Sequence, residues 1–120
     1  MLNGFENIPN DLNEKLVNLL EPVLEIISLY GADSPLKSYV IEERFYITGP
    51  ELRAVIRYLR RLGYPLGSSS KGYYYIHTKD ELDKTIEHLE QRKNSIERTI
   101  LEMRHIQIDK SIQQLNLNMQ

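Results

Sequence analysis

The sequence predicts a mostly α-helical fold that carries one small β-hairpin and is followed by a long C-terminal helix. Three observations lead there. Helix-start signals recur ahead of apolar stripes with three- and four-residue steps. The stretch GYPLGSSSKGYYYI, residues 63–76, sets two apolar, tyrosine-rich runs around a tip of glycine, serine and lysine. From Lys79 to Ile108 neither proline nor glycine interrupts the chain. The length of 120 residues fits one domain with an appended helix. The expected divisions are a loose arm over 1–10, a domain over 11–77, a long helix over 78–110 and a frayed tail over 111–120.

Asp11 and Glu14 have capping-box spacing, and Leu12, Leu16, Leu19, Leu20, Val23, Leu24, Ile27 and Tyr30 follow with amphipathic period. Pro22 lacks an N–H and clashes with the preceding turn, so the segment should kink or divide into two short helices. Ser34-Pro35 reads as an N-cap with proline in the first turn of a helix over 35–44, pointing Leu36, Tyr39, Val40 and Phe45 inward. Phe45-Tyr46-Ile47 reads as a bridging strand or extended turn. Thr48, Pro50 and Glu51 repeat the start signal. The helix they open, about 49–62, buries Leu52, Val55, Ile56, Leu59 and Leu62 and leaves Glu51, Arg53, Arg57, Tyr58, Arg60 and Arg61 outside. Of these, Tyr58 is either an exposed contact or a packing residue against the C-terminal helix, and packing is favoured. Gly63 suits the positive φ of a helix end. Strands are expected over 64–67 and 73–77, with Tyr74 facing away from Tyr73 and Tyr75.

Thr78 and Glu81 box the start of the last helix. Leu82, Ile86, Leu89, Ile96, Ile100 and Met103 alternate four- and three-residue steps, a coiled-coil seam in which Lys93 and Gln107 stand at apolar positions. The near half of this seam is expected to dock on the domain's own N-terminal helix. A helix of ~25–30 residues is ~40 Å long, more than so small a domain covers. The far half is therefore expected to pair with a second copy through Ile96, Ile100 and Met103.

The chain has no cysteine, which excludes disulfides and thiolate metal sites. His77, His88 and His105 lack the spacing of a helical metal pair. No metal, cofactor or small-molecule ligand is expected. No run approaches the ~20 apolar residues of a membrane span, and the N-terminus lacks a basic-then-apolar leader. The expectation is a cytoplasmic protein without a membrane partner.

Net charge is −2, but its distribution is uneven. Residues 1–43 carry a net −6 and residues 78–120 a net −1. Residues 44–77 set Arg44, Arg53, Arg57, Arg60, Arg61 and Lys71 against Glu51 alone, a net +5. A basic middle between acidic flanks, coinciding with the hairpin, is the electrostatic footprint expected of a nucleic-acid binder.

The order helix, helix, tight turn, arginine-rich helix, hairpin is carried by residues 34–76. Within it stand "ITGPELR", "YLRRLGYPLGS" and "KGYYY". This segment, about a third of the chain, resembles the small winged helix-turn-helix DNA-binding proteins common in phages and prophages. The resemblance implies a recognition helix at about 49–62 in the major groove of double-stranded DNA and a wing at 67–72 on the phosphate backbone. On that reading Arg53 and Arg57, one turn apart, present forks to guanine. Thr48 and the free N–H groups of the helix start suit a phosphate. Arg60, Arg61, Ser68, Ser69, Ser70 and Lys71 supply further backbone contacts. A phage-encoded protein would work in the host cytoplasm, as a transcription regulator or a replication or packaging accessory.

Plainer readings stand beside these. An arginine-rich face is otherwise a solvated face, and a serine-rich tip a flexible turn. The alternative function is an adaptor, with the winged helix and the long helix recruiting a protein partner. No nucleophile–base pair points to an enzyme. The "GSSSKG" run lies between strands instead of opening a helix, as a phosphate-binding loop requires.

Overall fold

The computed structural model describes residues 12–108 and Leu115. Asp11 as a cap, the arm over 1–10 and all of the tail except Leu115 lie outside the described residues. Among the described residues 62% are helical, and there is one two-stranded antiparallel sheet. The elements run α1 (Glu14–Val17), α2 (Leu20–Ile27), α3 (Ser38–Phe45), α4 (Gly49–Arg61), β1 (Leu66–Ser69), β2 (Gly72–Tyr75) and α5 (Lys79–Arg104). The chain divides into two compact units, Met1–Ile86 and Glu87–Gln120, so the division falls inside α5.

The first helical segment is two short helices. Asn13 caps α1, its Oδ1 accepting from the Leu16 N–H at 2.9 Å. Pro22 sits at the third position of α2, where no intrahelical N–H bond is lost, and its ring would clash with the carbonyl of Asn18 in a continuous helix. The chain breaks there, at Asn18-Leu19. Leu12, Leu16, Leu20, Val23, Leu24 and Ile27 are buried and form one wall of the core.

Ser34-Pro35 does not open a helix. Leu36 stays extended and pairs with Tyr73, exchanging both backbone bonds at 2.7 and 2.8 Å. Together with Tyr75 N–H donating to Tyr30 C=O at 2.9 Å, this pairing takes up the outer edge of β2. A long-range demand for strand partners thus overrides a local start signal, and α3 begins at Ser38, three residues late. Its inward residues are Ile41 and, partly, Phe45, whereas Tyr39 and Val40 face solvent.

α3 ends on Tyr46, whose backbone is left-handed (φ 54°, ψ 48°), and Ile47 N–H returns to Glu42 C=O at 3.1 Å. So 45–47 is a helix end and turn, not a strand. Ile47 drops into the core and Thr48 starts α4. The stripe of Leu52, Val55, Ile56 and Leu59 is buried, as expected, with Leu62 half-buried. Tyr58 is buried too, in keeping with the packing role favoured for it over an exposed contact. Gly63, at φ 98°, and the Tyr64 N–H bond to Leu59 C=O (3.0 Å) close the helix.

The strands are shifted from their expected bounds, and Ser70-Lys71 alone makes the turn. Neither residue has positive φ, and the twist falls on Gly72 (φ 143°). A Cβ at Gly72 would strike the Leu36 carbonyl, so this glycine is required twice over.

Candidate nucleic-acid interface

The candidate site is built on the N-terminus of α4. Thr48 Oγ1 accepts from the Glu51 N–H (3.2 Å), and Glu51 Oε1 accepts from the Thr48 N–H (2.9 Å). Glu51 Oε2 also meets Lys15 Nζ at 3.4 Å. The backbone hydrogen bond from Thr48 and the nearby Lys15 ammonium hold the Glu51 carboxyl below its ordinary value. This closed box corrects one expectation. With Thr48 and Glu51 donors engaged and Pro50 lacking an N–H, Gly49 supplies the remaining backbone donor of that turn. The Thr48 hydroxyl stays exposed and can still donate.

Arg53, Arg57 and Arg61 are exposed at four-residue steps. They form a stripe ~12 Å long on the side of α4 opposite its buried residues. The Arg53 guanidinium lies beside Gly49, with the Glu42 carboxylate near the same point. The Arg61 guanidinium stacks over the Tyr58 ring, 5.0 Å from its centroid, which orients it at the helix end. The carboxylate of Glu51, the one acid in this basic stretch, is tied into the box and to Lys15.

Arg60 and Ser68 are a correction. Arg60 is half-buried, its Nε donating to Leu66 C=O at 2.9 Å and its Nη2 to Ser68 Oγ at 3.1 Å. Ser68 is only 8% exposed, and its N–H donates to Thr85 Oγ1 at 3.3 Å. Both residues brace β1 from within and are not placed to reach a phosphate. Two signals in the sequence pointed that way. Arg60 falls four residues after buried Ile56, on the flank of the stripe, and Ser68 falls two after buried Leu66, on the same strand face.

The tip itself is open. Ser70 and Lys71 are exposed and Ser69 is half-buried. Ser69 Oγ accepts from the Lys71 N–H at 3.1 Å, which fixes the turn. Behind the tip, Tyr74 crosses Gly67, where a Cβ would collide with its ring. Its hydroxyl meets Thr85 Oγ1 at 2.9 Å. As the alternation predicted, Tyr74 is buried and Tyr73 and Tyr75 are half-buried.

Among the described residues no cluster of three histidines or acids could hold a metal ion, and no helix is long and apolar enough to cross a membrane. No protein-family model, curated protein or solved structure matches the chain.

Proposed function

We propose that the protein is a non-catalytic winged helix-turn-helix protein that binds double-stranded DNA, with α4 as recognition helix and the β1–β2 hairpin as wing. The observation that carries this reading is the exposed Arg53–Arg57–Arg61 stripe, set on a capped helix and followed in the chain by a hairpin whose two-residue tip bears Lys71. Arg53 and Arg57, nearest the helix start, read base edges in the major groove. Arg61, the Thr48 hydroxyl, Ser69, Ser70 and Lys71 hold the phosphate backbone. A deep, narrow A-form groove would not admit α4, which favours DNA over double-stranded RNA. The role is that of a phage- or prophage-type regulator or a replication or packaging accessory.

The test is fluorescence anisotropy on a random-sequence DNA duplex across a salt series. A log–log salt slope of about −4 to −6 is expected, corresponding to roughly five neutralised phosphates. Arg53→Ala with Arg57→Ala should abolish measurable binding, and Lys71→Ala should flatten the slope by about one. No binding by the unaltered protein at low salt overturns the reading.

A further inference from the structure

An exposed apolar seam runs along α5. On α5, Ile86, Lys93 and Ile100 form one line and Leu89, Ile96 and Met103 the other, the a and d positions of a heptad. The five apolar members are each at least 36% exposed. An apolar stripe of coiled-coil period left in water needs a cover of the same period. We propose that a second copy of this chain supplies it, forming a parallel, in-register, two-stranded coiled coil over 86–104. The inference stands whether or not the protein binds DNA.

Three features select this occupant and this orientation. First, the positions flanking the seam are charged in a self-complementary way. Arg92, at g, meets Glu97, at e of the facing helix, five residues on, and the symmetry repeats the pair. Second, the antiparallel pairing with the same overlap sets Glu90 against Glu97 twice. That repulsion opposes its only attraction, Asp83 with Arg104 near each end. Third, Lys93 stands exposed at a central a position. A single lysine there lowers stability and fixes register, because any slipped pairing sets it against Ile86 or Ile100, and it disfavours the closed core of a trimer. Arg92, Glu97 and Lys93 thus specify a partner identical to the chain itself. With under three heptads the association is weak, with a dissociation constant on the order of micromolar to tens of micromolar.

The experiment is sedimentation equilibrium of the full chain at low ionic strength, over concentrations from about 2 to 200 μM. A reversible monomer–dimer equilibrium is expected. Ile96→Asp should weaken it by more than tenfold, with circular dichroism following the helix. Arg92→Glu and Glu97→Arg should each weaken it severalfold, and the double exchange should restore it. A monomer throughout, a species larger than a dimer, or association untouched by Ile96→Asp overturns the proposal. Tighter association of Glu97→Arg alone overturns the parallel orientation, since that change relieves the antiparallel Glu90–Glu97 contact. Failure of the double exchange to restore the affinity overturns the Arg92–Glu97 pairing.

Discussion

The Tyr74 hydroxyl and Thr85 Oγ1 lie 2.9 Å apart, and the same Thr85 oxygen accepts the Ser68 N–H at 3.3 Å. One buried hydroxyl therefore satisfies a strand amide and a tyrosine hydroxyl together, tying the hairpin to the second turn of α5. Thr85→Val keeps the shape and deletes the oxygen, taking one hydrogen-bond partner from the buried Ser68 N–H and one from the buried Tyr74 hydroxyl. The expected loss is about 1–3 kcal/mol, read from urea unfolding. Tyr74→Phe should cost less, roughly 1 kcal/mol, because it removes a polar group instead of stranding one. The double variant should lose less than the sum of the two.

Arg60 and Arg57 are one turn apart in sequence and opposite in role. Arg60→Ala breaks two hydrogen bonds that anchor β1, and should destabilise the fold by about 1–2 kcal/mol. Arg57 is exposed, so Arg57→Ala should move stability by no more than about 0.5 kcal/mol. Thermal melts of the two variants side by side check the contrast. Arg60→Lys should not rescue, since an ammonium cannot reproduce the guanidinium fork.

Tyr46 occupies the left-handed position that glycine usually takes at a helix end, and its side chain is 88% exposed. The ring therefore gains little burial to offset its backbone cost. Tyr46→Gly should raise stability by up to about 1 kcal/mol, even after the added entropy of the unfolded chain. Differential scanning calorimetry would show it as a rise in Tm.

The lowered Glu51 carboxyl gives the fold an acid-sensitive element. A carboxylate with a depressed folded value contributes stability that is fully present above its unfolded value. That contribution is lost as pH falls through the lower, folded one. With an ordinary value of 4.5, the loss begins near there and continues below it. Glu51→Gln should start less stable at neutral pH and decline less between about pH 5 and pH 3, measured by urea midpoints along a pH series.

Local signals in the sequence sufficed for some of these features and failed for others. Thr48, Pro50 and Glu51 lie within four residues of one another, so their capping box was legible, as were the α4 stripe and the alternation of the tyrosines. The start of α3 was not. Ser34-Pro35 carries a sound local start signal, and only the need of Tyr73 for a backbone partner, 37 positions from Leu36, keeps the chain extended. Thr85 was equally hidden, a single threonine in a polar run whose importance comes from Ser68 and Tyr74 meeting over it. The near half of the α5 seam, expected to dock on the N-terminal helix, is instead exposed. Leu82 and Ile86 face solvent, and Thr85 is the buried residue. The seam of α5 was legible because it is periodic, whereas the division of labour among the α4 arginines depended on where β1 came to rest.

Both rims of the hairpin are occupied from within the chain. Leu36 and Tyr30 take up the backbone groups of β2, while the Arg60 side chain and Thr85 take up Leu66 C=O and Ser68 N–H on β1. A ribbon finished in this way offers no template on which a strand from another molecule can add. Edge-to-edge strand addition between crowded copies is thereby disfavoured.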